Sequence, residues 1–124
     1  MEIREERRGT SLVMTLAETR LDHVIATDFR EHVLRRAAAE GAVEVVIDLA
    51  TVQFMDSSGL GALVGIRKRL GWGTRIVLAG LRSPVHRVFQ LARMTEVFTF
   101  HTSAEAAAGI AGMATYRAPG AQST

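Results

Sequence analysis

Chemistry in this sequence concentrates in one segment, Phe54-Met55-Asp56-Ser57-Ser58-Gly59-Leu60-Gly61-Ala62-Leu63-Val64-Gly65. A carboxylate, two hydroxyls and three glycines side by side suit nucleophilic catalysis, phosphate binding, or a capped helix start. A serine nucleophile needs a base, and His23, His32, His86 and His101 supply candidates. Yet Asp56-Ser57-Ser58-Gly59 is not the G-x-S-x-G elbow, and no histidine lies in a local motif that would bring it to the serines. The glycines are spaced G-x-G-x-x-x-G rather than G-x-G-x-x-G, no acid follows where a ribose would need one, and the G-K-S/T ending of a phosphate loop is missing. Without cysteine there is no thiolate zinc site, and no His-x3-His pair or carboxylate cluster has ligand spacing. These residues therefore point to a non-enzyme with no cofactor and no metal.

Helix capping remains. Asp56, Ser57 and Ser58 are all good N-caps, whose side-chain oxygens accept hydrogen bonds from unpaired first-turn N–H groups. Three glycines in the helix that follows are costlier, at about 1 kcal/mol each relative to alanine. Ordinary capping requires none of them, so something must approach closely: a neighbouring strand, a phosphate, or a partner's backbone.

The flanking periodicities define the elements that hold this segment. Ile3 and its charged neighbours read as a weak edge strand, and after a turn at Gly9-Thr10 the run Leu12–Leu16 reads as its hairpin partner. Ile25, Phe29, Val33 and Ala37 form the stripe of an amphipathic helix that Gly41 stops. Val43–Leu49 is almost continuously apolar, as a strand covered on both faces would be. A helix over Ser58–Leu70 follows, broken by Gly71-Trp72-Gly73, and Arg75–Ala79 reads as another buried strand. Ser83 as N-cap and Pro84 in the first turn predict a helix to Arg93, with Val85, Val88, Phe89, Leu91 and Ala92 facing inward. Val97–Phe100 is a short last strand, and the capping box Thr102-Ser103-Ala104-Glu105 opens an alanine-rich helix to about Met113. The order β-β-α-β-α-β-α-β-α predicts one α/β domain with a mixed, largely parallel sheet of four to five strands and about four packed helices. It should span residues 1–113, with 114–124 as a disordered tail.

A chain of 124 residues that is 48% hydrophobic and 23% charged suits a single core, burying about two-thirds of the unfolded surface at this length. The N-terminal Met1–Arg8 lacks the apolar run of a signal peptide, and no window approaches the roughly 18 apolar residues of a membrane span. No membrane contact and a cytoplasmic location are expected, and the absence of cysteine agrees. The net charge of +2 conceals a segregation: residues 1–56 hold eleven acids and seven bases, whereas 57–93 hold seven bases and no acid. Nucleic acid is not the expected partner, because these bases spread over several elements, with Trp72 and Phe89 as the stacking candidates among them and no module signature.

Val45-Val46-Ile47-Asp48-Leu49, the Phe54-to-Gly61 segment and the upstream Leu21-Asp22 together resemble the STAS domain of bacterial anti-sigma factor antagonists, over roughly residues 10–110. Asp56-Ser57-Ser58-Gly59-Leu60-Gly61 is the specific part. The resemblance implies a protein that, unmodified, binds an anti-sigma factor, itself a serine protein kinase, and so releases a sigma factor. That kinase phosphorylates the serine directly after the aspartate, and a protein phosphatase reverses the step. Carried over, Ser57 is the acceptor and Ser58 the second choice, and the partner-binding residues are Asp22, Asp56, Ser57, Ser58, Gly59, Leu60, Gly61, Ala62 and Gly65. One departure bears on the turn before Asp22: Thr19 stands where the family usually has glycine. The alternative is a constitutive scaffold subunit of a larger signalling or lipid-transport complex, with Ser57 serving as a helix cap. Phosphoserine adds about −1.5 to −2 charge. At a helix N-terminus the dipole and free N–H groups accept that charge, so the fold should survive while the docking surface changes.

Overall fold

The β-branched runs become strands and the four-residue stripes become helices in the computed structural model, which describes residues 1–104. The elements are β1 (Ile3–Arg8), β2 (Ser11–Leu16), β3 (Arg20–Leu21), α1 (Ala26–Glu40), β4 (Glu44–Asp48), β5 (Phe54–Met55), α2 (Ser57–Leu70), β6 (Arg75–Ala79), α3 (Ser83–Leu91) and β7 (Thr99–His101). Five strands form one sheet in the order β1-β2-β4-β6-β7, antiparallel at the β1–β2 hairpin and parallel elsewhere. This is the expected mixed α/β sheet, with three helices among the described residues. The expected fourth helix and the tail 114–124 lie outside them.

Side-chain alternation divides the sheet into two faces. Leu12, Met14, Val45, Ile47, Leu78 and Phe100 share one cluster with Phe29 and Val33 of α1, Leu63 and Ile66 of α2, and Val85 and Phe89 of α3. Removing each such side chain from water contributes about 1.5–3 kcal/mol. The intervening Val13, Val46, Val77 and Ala79 form a small cluster on the opposite face, with Ala104 packed against it. The centre of β4 is thus buried on both sides, which accounts for its apolar run Val45-Val46-Ile47. Gly41 ends α1 in the left-handed conformation at φ 57°, where a side chain would be strained.

Local details depart from the periodicity. β3 and β5 pair in parallel, Arg20 with Phe54 and Leu21 with Met55, and strands of two residues are too short for alternation to reveal. The last strand is Thr99–His101 rather than Val97–Phe100, because the Val97 N–H closes a turn onto the Met94 carbonyl. α3 begins at Ser83 instead of being capped by it. The carbonyl of Arg82 accepts the first helical N–H groups, from Val85 and His86, and its guanidinium is anchored on the Ala50 carbonyl at 2.8 Å. Leu91 and Ala92, expected to face inward, are exposed. Leu91 lies about 200° around the helix from Phe89, and the helix stops there as Arg93 turns to a φ of 59°. His86 faces inward instead, edge-on to Phe100 at 5.4 Å between ring centres.

Candidate functional site

At the end of β5 the extended backbone of Asp56 stops the strand and starts α2. Of the three candidate caps, Asp56 takes the role: its Oδ1 accepts the Gly59 N–H at 3.0 Å. Its Oδ2 accepts the His23 N–H at 3.1 Å, from the loop before α1. The Gly59 bond foremost, with those from the His23 and Ser58 backbones, holds the carboxyl below the ordinary aspartate range, so it is ionised at neutral pH. The two serines are thereby released from capping. They are the first and second residues of α2, both exposed, and neither hydroxyl makes a hydrogen bond among the described residues.

The three glycines have different surroundings. A Cβ on Gly59 would lie 2.2 Å from the Leu21 carbonyl oxygen, so the backbone of β3 fills the place of a side chain. On Gly65 it would meet Arg30 Cδ at 3.1 Å, and on Gly61 nothing within 4 Å. Packing within the chain therefore accounts for Gly59 and partly for Gly65, whereas Gly61 presents open backbone at the surface.

Of the expected partner-binding residues, Ser57, Ser58 and Gly61 are exposed, Asp56 and Gly65 half-buried, and Asp22, Gly59, Leu60 and Ala62 buried. Leu60 and Ala62 belong to the core. Asp22 shapes the surface from beneath: Oδ2 accepts from Arg20 Nε and Oδ1 from the Val24 N–H, each at 3.1 Å. The Arg20 bond leads in holding its carboxyl below the usual range. Thr19 needs no glycine geometry, since Arg93 is the non-glycine residue with positive φ among those described. Its carbonyl accepts the N–H groups of Gln53 and Phe54 and ties this turn to β5.

Several neighbours were not among the expected partner-binding residues. Val24 is 72% and Phe54 41% exposed, and the Arg20 guanidinium lies 4.1 Å above the Phe54 ring. Their signal is the register of β3 on β5, which is tertiary. His23, Thr27 and Arg30 face Ser58 and Gly61 across an open groove of about 320 Å³. His86 is buried elsewhere with Nε2 unpartnered, and burial pushes its pKa down. Among the described residues, no three or more His, Cys, Asp or Glu side chains gather as a metal site would require. None of the described helices is long and apolar enough to cross a membrane.

The fold agrees with a family match: the STAS domain model covers residues 3–107. The chain belongs to the STAS domain family. Among relatives of this STAS domain, the anti-sigma F factor antagonist of Paenibacillus polymyxa is 28% identical over 98 residues, 78% of this chain and 82% of that protein. The anti-sigma-B factor antagonist of Staphylococcus epidermidis is 30% identical over 76 residues, 60% of this chain and 70% of the relative. Among solved structures, the unphosphorylated anti-sigma factor antagonist SpoIIAA superposes with a TM-score of 0.71 at 22% identity, covering 92% of this STAS domain's chain and 100% of its own. The phosphorylated form of SpoIIAA from Bacillus gives 0.63 at 22% identity, over 85% and 96%. At these identities the structural likeness is one of fold.

Proposed function

We propose that this STAS domain is a cytoplasmic anti-sigma factor antagonist. Unphosphorylated, it binds an anti-sigma factor that is also a serine kinase, and so releases a sigma factor. Phosphorylation of Ser57 ends the binding, and a phosphatase restores it. The observation that carries this reading is the exposed, unbonded Ser57 at the first position of a helix that Asp56 caps. A phosphoryl group there adds charge beside the ionised Asp56 without removing any hydrogen bond of the fold. The names of the two bacterial relatives and the existence of a phosphorylated SpoIIAA support it. The partner surface is centred on Ser57, Ser58 and Gly61, with Asp22, Asp56, Gly59, Leu60, Ala62 and Gly65 setting its shape.

The test is a pull-down with the full chain as bait, followed by phosphosite mapping. The expected result is capture of a serine kinase by the unmodified chain, with phosphate on Ser57 that disappears in Ser57→Ala. Equal capture by the unmodified and fully phosphorylated chain would instead indicate a constitutive scaffold.

A further inference from the structure

The two serines are not equivalent in three dimensions. Two rows of side chains face each other across the groove between α1 and α2. From α1 and its leading loop come His23, Ala26, Thr27 and Arg30, and from α2 come Ser58, Gly61 and Ala62. Spacings of three and four align each row along one side of its helix. Gly65 continues the α2 row, and its missing Cβ leaves the notch in which the stem of Arg30 lies, with Cδ 3.1 Å from where that Cβ would stand. Nη1 stands 4.0 Å from the same point, and Arg30 lines the groove. Its Nε donates to the exposed Glu31 at 3.2 Å, and Nη1 and Nη2 make no hydrogen bond among the described residues. Among the described residues, no acidic side chain lines the groove, and neither does Ser57.

We propose that this groove is the seat of a phosphoryl group on Ser58, which makes Ser58 a second modification site whose phosphate is held within the chain by Arg30 and His23. A phosphoryl group on Ser57 stays outside, facing the partner. The inference rests on the proposed function in one respect, that a protein kinase works on this segment. In the transfer, the Ser58 Oγ–P bond forms and the bond from the γ-phosphorus of a nucleoside triphosphate to its bridging oxygen breaks. The nucleoside diphosphate leaves, and the serine proton passes to a base on the kinase. The planar, two-pronged guanidinium then meets phosphate oxygens in paired, charge-assisted hydrogen bonds. Two carboxylates oppose this arrangement. Asp56 Oδ2 lies 3.7 Å from His23 Nδ1, and Glu31 holds Arg30 Nε, so Arg30 through its free Nη groups is the principal contact. Phosphate in this seat bridges α1 and α2, a different outcome from the charge that Ser57 presents outward.

The experiment needs neither kinase nor partner. Phosphoserine is encoded genetically at position 57 or at position 58 of the full chain, and each protein is titrated by phosphorus NMR. The second ionisation of phosphoserine ordinarily lies near pH 6, and an opposite charge at contact distance lowers it by about one unit or more. The expected result is that position 58 titrates about one pH unit below position 57. Arg30→Gln should return it to the position-57 value, Arg30→Lys should keep part of the difference, and Gly65→Ala should weaken it by displacing the arginine, with circular dichroism unchanged throughout. If the two phosphoserines titrate together, or if the folded Arg30→Gln protein keeps the low value at position 58, the seat does not exist. Failure to find a kinase in the pull-down would remove the proposed function and leave this measurement intact.

Discussion

Asp56 Oδ2 accepts the backbone N–H of His23, 33 positions away in sequence, at 3.1 Å, while Oδ1 accepts that of Gly59, three residues on, at 3.0 Å. One carboxylate therefore caps α2 and fastens beside it the loop that opens α1. Ser57 and Ser58 stand on a helix start whose position does not depend on their own hydroxyls.

Asp56→Ala removes both bonds and is expected to cost about 1–2 kcal/mol, in the range of lost helix caps. Asp56→Asn should cost less at neutral pH, because its single carbonyl oxygen still serves Gly59 while its amide confronts the His23 N–H. The folded pKa of Asp56 is lowered, so the native chain binds fewer protons than the unfolded one. Its contribution is complete above the ordinary aspartate value near 3.9 and fades as pH falls through the lower folded value. Denaturant melts at pH 7 and pH 3 should show the gap between wild type and Asp56→Asn narrowing in acid.

Gly59→Ala and Gly61→Ala should act in opposite directions. The first drives a methyl group against the Leu21 carbonyl and is expected to destabilise by about 1–3 kcal/mol, as overpacking does. The second meets open space and should stabilise by up to about 1 kcal/mol through helix propensity. If Gly61 is bare to admit a partner, the stabilised variant should nevertheless bind the anti-sigma factor more weakly, which calorimetric titration can read.

Ser57→Ala should change the melting temperature little, since Asp56 holds the cap, and should abolish phosphorylation at position 57, leaving Ser58 as the remaining acceptor. Ser57→Asp should weaken anti-sigma factor binding at least tenfold, about 1.4 kcal/mol, with circular dichroism unchanged. A carboxylate in the first turn favours the helix dipole, so the loss is not one of folding. Equal affinities for wild type, Ser57→Asp and the stoichiometrically phosphorylated chain would refute the switch.

His86 introduces a second pH dependence. Burial lowers its pKa, so the unfolded chain takes up a proton that the native chain resists. Stability from this group is full above the ordinary histidine value near 6.5 and declines as pH falls from there toward the folded value. His86→Leu removes the buried, unpartnered Nε2 and should raise the melting temperature more at pH 5 than at pH 7.5.

The sequence alone determined the hairpin, the α1 stripe ending at Gly41, the doubly buried β4, and the strand-to-helix junction at Asp56-Ser57-Ser58. Each is a pattern within one or two turns of chain, where the 2.0 and 3.6 periods operate. It also narrowed the helix cap to Asp56, Ser57 or Ser58 without choosing among them. The choice fell to His23, which engages the second oxygen that an aspartate has and a serine lacks. Likewise, three glycines signalled close approach, but which one meets a strand, which an arginine stem and which nothing depends on how β3 and α1 lie against α2. The two-residue pairing of β3 with β5, the inward turn of His86 and the Arg30 groove were equally hidden. Local periodicity reports which face of an element is apolar, whereas contacts between residues about thirty positions apart exist only after those faces have packed.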